Sequence, residues 1–176
     1  MSNQNTSNKI STQRLVTISL MAAIIFVVTY TIKVPIPFSS FGGYVNLGDA
    51  AIYCCAALLG PAGGFLAASV GSALADVLLG AMVYAPATFV IKGLMGLVCG
   101  YIIMKQKSFK AFALASFIGG AIMISGYFVF EYFMMDSAYA MASLPFNAVQ
   151  WIGGTLAALP TYKIVTKVKS MRVATA

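Results

Sequence analysis

Apolar runs of roughly 20 residues follow one another along nearly the whole chain, and runs of that length are what helices crossing a lipid bilayer require. Only 9% of the 176 residues are charged while 60% are hydrophobic, against roughly 25% charged in a soluble domain, and the mean hydropathy is +0.90. A water-soluble core of this size cannot hide so much apolar surface. The expected fold is therefore an all-α membrane protein, a single membrane domain over residues 1–176 with no length left for a second globular unit. Residues 1–12 are polar, and the apolar run behind them is too long, and lacks a small-residue cleavage site, for a removed signal peptide. It is expected to stay as the first span.

The number of crossings follows from charge. All but two of the 11 basic residues, Lys33 and Lys92, fall in three clusters. Lys9 and Arg14 precede the first apolar run, Lys105, Lys107 and Lys110 separate two later ones, and Lys163, Lys167, Lys169 and Arg172 close the chain. Basic loops stay on the cytoplasmic side, so an even number of crossings must separate each pair of clusters. The stretch 47–79, interrupted by Gly60-Pro61, then has to cross twice. Six transmembrane helices result, near 15–32, 47–59, 62–79, 84–104, 111–134 and 145–165, with both termini cytoplasmic. Pro35, Pro37 and Gly42-Gly43 break the chain into a long loop after the first of them. Cys54, Cys55 and Cys99 lie inside apolar runs, and with no His in the chain they read as small buried hydrophobes and not as a metal set.

Ionisable groups inside such helices cost a few kcal/mol each, which makes them functional candidates with structural pairing as the competing account. Asp76 and Glu131 lie about 5 Å in from the outer ends of the third and fifth helices, and Lys92 about 12 Å into the fourth, at 1.5 Å per residue. Asn147, Gln150 and Trp151 belong to the same outer half on the sixth helix, and Tyr84, beside Pro86 and four residues before Thr88, joins them. The inner halves of these helices are almost purely apolar. A cup open to the outside, holding one small molecule by a few hydrogen bonds and aromatic faces, fits this pattern better than an ion path. Lys92 and Glu131 could equally form an ion pair with each other. Asn46 to Asp49 reads as a capping box, and Asp136 as a solvated loop residue. The other tyrosines near the outer boundary, Tyr127 and Tyr132, suit an aromatic belt.

Small residues recur at four-residue spacing, as at Gly96/Gly100, Gly153/Ala157 and Ser19/Ala23, which lets helices approach closely in lipid. The last pair could instead face a separate membrane partner. No phosphate-binding GxxxxGK[ST] loop, nucleophile-base pair or paired carboxylates at enzyme spacing is present. The chain is expected not to be an enzyme, and uphill transport would draw on another subunit or an ion gradient.

Several segments resemble a known family: Gly42-Gly43-Tyr44-Val45-Asn46-Leu47-Gly48-Asp49, Leu59-Gly60-Pro61 with Gly63-Gly64, Gly71-Ser72-Ala73-Leu74-Ala75-Asp76, Ala85-Pro86 with Ile91-Lys92-Gly93, and Leu144-Pro145-Phe146-Asn147. They are similar to the S components, the substrate-capture subunits, of energy-coupling factor (ECF) vitamin transporters, in the riboflavin-type branch that includes subunits for pyridoxine and hydroxymethylpyrimidine. The resemblance implies an outward-facing vitamin site on the fourth to sixth helices, capped by the loop after the first. It implies multi-pass insertion in a bacterial plasma membrane and no cofactor of the chain's own. The implied partners are a transmembrane coupling subunit, gripping small residues on the first helix, and two subunits that hydrolyse ATP. Ser19 and Ala23, with Ala22 beside them, are the nearest match to that grip. The candidate ligand set is Asp76, Tyr84, Thr88, Lys92, Glu131, Asn147, Gln150 and Trp151, and a cup with one Lys, one Glu and two amides favours pyridoxine or hydroxymethylpyrimidine over riboflavin. The competing readings are a stand-alone proton-coupled carrier using Asp76 or Glu131, and a structural membrane subunit without a ligand.

Overall fold

The structure, a computed structural model, describes residues 12–174, so Lys9 lies outside the described residues. Within them the order is α1 (Thr12–Thr31), β1 (Lys33–Pro35), β2 (Tyr44–Asn46), α2 (Gly48–Leu78), α3 (Ala85–Gln106), α4 (Phe109–Met134), α5 (Ser137–Ala158), a 3-10 turn (Leu159–Thr161) and α6 (Tyr162–Ala174). Helices α1 to α4 are each long and apolar enough to cross a membrane. Helix is the form such segments take in lipid because it pairs every backbone N–H and C=O within the segment.

Helix α2 is continuous except at Gly60, whose φ of 74° and ψ of −170° are not helical, directly before Pro61. A side chain at Gly64 would have its Cβ only 3.1 Å from the Cα of Ala56. Eight residues apart on a straight helix, those two backbones would be about 12 Å apart. The chain therefore doubles back at Gly60, which only glycine accommodates at that φ, and Pro61 then opens the second arm at 61–78 as a first-turn proline does.

The returning arm meets α3 backbone to backbone. A Cβ on Gly96 would stand 2.3 Å from the Gly64 carbonyl oxygen, and one on Gly100 would stand 2.7 Å from the Gly60 carbonyl carbon. These small residues set how closely α2 and α3 pack, and the tightest contacts lie at the end of the bundle where the hairpin turns. Met104, whose sulfur blocks any side chain at Gly60, lies at that same end, next to the α3–α4 turn with Lys105, Lys107 and Lys110. Helix α3 stops there because Lys107 takes a left-handed conformation (φ 45°). Ser108 caps α4, its hydroxyl accepting from Ala111 N–H at 3.1 Å.

Helix α1 is the least buried of the four long apolar helices. Its buried residues, Ile18, Ala22, Ile25 and Thr29, repeat at the three-to-four spacing of one helix face. Ala22 packs against Gly71 of α2. Ser19 and Ala23 are exposed on the other side, together with Leu15, Leu20, Ile24 and Val27, which are 42–56% exposed. The expected three-residue contact patch is thus split in burial: Ala22 packs inward while Ser19 and Ala23 stay exposed.

Two further expectations change. The last long helix does not start at Pro145 but at Ser137, because Asp136 caps it, accepting from Tyr139 N–H at 2.7 Å. Asp136 is therefore a cap and not merely a solvated loop residue, and Pro145 sits inside α5. Its ring removes one backbone hydrogen bond, a loss the packed helix tolerates. The loop after α1 also carries structure: β1 and β2 pair antiparallel, Lys33 opposite Asn46, Val34 opposite Val45 and Pro35 opposite Tyr44. Its glycine Gly42 takes φ 76°.

The glycine contact gives a sharp expectation. Gly96→Ala should destabilise the protein by about 1–3 kcal/mol through overpacking, read as a lower thermal unfolding midpoint in detergent. Gly153→Ala, where the added methyl would meet only Leu47 Cδ2 at 3.7 Å, should be neutral or slightly stabilising. Equal behaviour of the two variants would contradict the close α2–α3 approach.

Candidate functional site

At the end of the bundle away from the Gly60 turn, a cavity is lined by Ile36, Gly43, Tyr44, Asn46, Asp76, Ala81, Tyr84, Thr88, Tyr127, Glu131, Asn147 and Gln150. The hairpin loop forms its roof, the end of α2 and the start of α3 one wall, and α4 and α5 the other. The centre of a water-sized sphere has about 30 Å³ in which to move, within about 390 Å³ of space that includes the mouth.

Each polar group in the wall is positioned by a specific contact. Glu131 of α4 is 2% exposed; its Oε1 accepts from the Tyr84 hydroxyl at 3.1 Å and its Oε2 from the Ser143 hydroxyl. The Tyr84 oxygen lies 3.0 Å from that of Tyr139, which lies 2.6 Å from Ser39 Oγ, which in turn accepts from Gly43 N–H at 2.7 Å. A line of hydroxyls thereby ties the roof to the α4 carboxylate. Thr88 and Tyr127 bond each other at 2.9 Å. Asp76 Oδ1 accepts from the Tyr44 hydroxyl at 2.5 Å. Burial, with Asp76 beside it, pushes the Tyr44 phenol well above its ordinary value, so it stays a donor.

Two buried atoms in this wall lack a partner, Asp76 Oδ2 and Asn147 Nδ2, on side chains 5% and 6% exposed. A buried polar group left without a partner costs roughly 1–3 kcal/mol, a cost that a molecule in the cavity bonding these two atoms would relieve.

Lys92 does not meet Glu131. Its ammonium forms a buried ion pair with Asp49 in the first turn of α2 and lies 5.5 Å from the centre of the Tyr127 ring. The other Asp49 oxygen accepts from Gln150 Nε2 at 3.1 Å, and Gln150 Oε1 accepts from the backbone N–H of Asn46 at 2.8 Å. One connected set of bonds thus joins α3, α2, α5 and the end of the roof. The expected capping box fails for the same reason. Asn46 N–H is taken by Gln150, so Asp49 turns inward to Lys92, while Asn46 Oδ1 accepts from Gly48 N–H at 2.9 Å.

Of the eight expected ligand residues, Asp76, Tyr84, Thr88, Glu131, Asn147 and Gln150 share the cavity wall, and Lys92 and Trp151 do not. Trp151 of α5 packs against α4 where Gly120 leaves room for its ring, its centre 4.8 Å from that of the Phe117 ring with the planes tilted by 47°, and donates to the Phe117 carbonyl at 2.9 Å. Tyr44, Asn46 and Tyr127 line the wall without having been expected there. Tyr127 was legible, since it stands four residues, one helical turn, before Glu131. Tyr44 and Asn46 were not, because only the strand pairing folds the loop over the helices.

A model of the ECF-type riboflavin transporter S component family matches residues 9–167. The chain belongs to that family. An uncharacterised protein from Pyrococcus woesei is 36% identical over 130 residues, 74% of this chain and 86% of the relative. Among solved structures, the S component of a bacterial ECF transporter aligns with a TM-score of 0.70 at 24% identity, over 89% of this chain and 96% of the other. The biotin S component of an ECF-type ABC transporter also aligns at 0.70, with 20% identity over 93% and 94%. At these identities the two structures speak for the shared fold alone. As an S component, the chain is an integral membrane protein, the substrate-binding subunit of a vitamin transporter and not an enzyme. S components work with the partner proteins of an ECF module in the membrane.

The Lys92–Asp49 pair carries a stability prediction. Lys92→Met leaves a buried carboxylate unpaired, which should cost about 3–5 kcal/mol, and adding Asp49→Asn should recover part of it. Thermal unfolding of the three proteins in detergent checks this; an unchanged midpoint for Lys92→Met would show that the pair holds nothing together.

Proposed function

We propose that this S component captures a small heteroaromatic vitamin or vitamin precursor from outside the cell, with pyridoxine or hydroxymethylpyrimidine favoured over riboflavin. The observation that carries this reading is the cavity itself: polar side chains from α2, α3, α4 and α5 converge under a roof that is bonded to them at both ends. Tyr84, Thr88 and Tyr127 supply aromatic faces and hydroxyls, while Asp76, Asn147, Gln150 and Glu131 supply hydrogen-bonding groups. Lys92 acts behind the wall by orienting Gln150 through Asp49.

The membrane arrangement proposed is six crossings, with both termini in the cytoplasm of a bacterium and the protein in its plasma membrane. Charge parity requires α2 to cross twice, and its reversal at Gly60 supports that. The cavity lies at the end opposite the basic α3–α4 turn, hence on the outside. Transport energy comes from two ATP-hydrolysing partner subunits through a transmembrane coupling subunit, and the chain itself binds no cofactor. The coupling subunit is expected on the exposed face of α1 at Ser19 and Ala23.

Small molecules extracted from the purified protein should include a heteroaromatic vitamin, and titration of the protein alone should show binding at or below micromolar concentration. Reconstituted alone in vesicles it should bind without accumulating; accumulation along a proton gradient would instead identify a secondary carrier, and the absence of any bound or titratable vitamin a structural subunit. A second outcome concerns α1. Ser19→Phe or Ala23→Phe should abolish uptake by the whole transporter and leave binding by the isolated protein intact, whereas Ala22→Phe should lower thermal stability because that residue faces Gly71.

A further inference from the structure

The charge inventory of the cavity wall restricts the ligand more narrowly than its shape does. Two carboxylates line it, Asp76 and Glu131, and no Lys or Arg does. Lys92, the buried cation among the described residues, is 2% exposed and committed to Asp49. Glu131 already accepts at both oxygens, from Tyr84 and Ser143. Asp76 accepts at one oxygen only, and its buried Oδ2 has no partner. Asn147, on α5, leaves an amide Nδ2 unpartnered in the same wall. Thr88 and Tyr127 bond each other, which uses one of their two hydroxyl protons.

We infer that the ligand carries a basic or amino nitrogen, which donates to Asp76 Oδ2, together with an acceptor for Asn147, and that it carries no carboxylate. The inference rests on the vitamin-capture reading and names the chemical class which that site selects. A buried carboxylate with an open oxygen favours a nitrogen donor, more so a positively charged one, because the low-dielectric setting strengthens the attraction. The same setting repels a ligand carboxylate from Asp76 and Glu131, and no cation in the wall offsets the repulsion. Specificity of this kind arises as much from excluding the wrong charge as from binding the right one.

The experiment is a titration of the detergent-purified protein with three ring-matched probes that differ at one substituent: pyridoxamine (amine), pyridoxine (alcohol) and 4-pyridoxic acid (carboxylate). Aminohydroxymethylpyrimidine, riboflavin and biotin are titrated beside them, and any co-purified small molecule is identified by mass spectrometry. The expected order is amine over alcohol by about tenfold or more, with no measurable binding of the acid. Asp76→Asn should bring the amine-to-alcohol ratio close to one. Where nothing in the pyridoxine series binds, the tightest of the other probes or the co-purified molecule decides: an amino-substituted or basic heteroaromatic supports the inference. Binding of the acid as tight as the amine, or a ligand that bears a carboxylate or lacks a basic or amino nitrogen, biotin and riboflavin included, overturns the inference and leaves vitamin capture standing. An amine preference unchanged in Asp76→Asn overturns the assignment to Asp76. Failure of every probe, with no co-purified molecule, overturns both readings. Comparing thermal midpoints of wild type and Asp76→Asn separates lost binding from lost folding, and the wild-type series alone tests the ligand class.

Discussion

The Lys92 ammonium and the Asp49 carboxylate are both buried, and much of the site depends on their meeting. Their pair fixes the start of α2 against the middle of α3. Through Gln150 it also fixes α5, and through Asn46 the end of the loop that roofs the cavity. Desolvation makes an isolated buried charge costly, so such a pair tolerates few alternative arrangements of the helices around it. The consequence for recognition is indirect. Because Lys92 is consumed behind the wall, the surface presented to a ligand is acidic and not mixed in charge.

The bundle divides its chemistry along its length. At the Gly60 end, glycines bring helix backbones into direct contact, and charged side chains lie on the basic α3–α4 turn. At the opposite end the helices carry hydroxyls, amides and carboxylates around the cavity. Packing in lipid gains little from apolar burial, since lipid tails are themselves apolar, so close backbone approach and interhelical hydrogen bonds carry more of the association. The two ends use these two means separately. A closely packed base supports a polar head whose roof is held by a few hydroxyl and amide bonds.

The exposed face of α1 belongs to the same division. Leu15, Leu20, Ile24 and Val27 have no intramolecular partner face among the described residues, as expected of a helix that meets lipid or another membrane protein. The buried stripe of Ile18, Ala22, Ile25 and Thr29 anchors it to α2. A spacing argument identified Ser19 and Ala23 as a pair on one side. It could not rotate the helix, and Ala22 consequently belongs to the bundle's interior.

Long apolar runs, basic clusters and the Gly60-Pro61 breaker determined by themselves that the chain is a helical membrane protein whose α2 stretch is interrupted, because lipid solvation and backbone sterics act on local sequence. Most of the polar residues of the cavity wall were also legible, since a polar group in an apolar helix is conspicuous wherever it points. Partner choice was not. Lys92 had three buried carboxylates to choose between, Asp49 43 residues away, Asp76 16 residues away and Glu131 39 residues away, and only the rotation and crossing of packed helices put the first within reach. The same packing placed Trp151 against α4 and brought Tyr44 and Asn46 over the cavity. The tertiary structure thus decided the charge of the site, because charge at a surface depends on which ions are already paired beneath it.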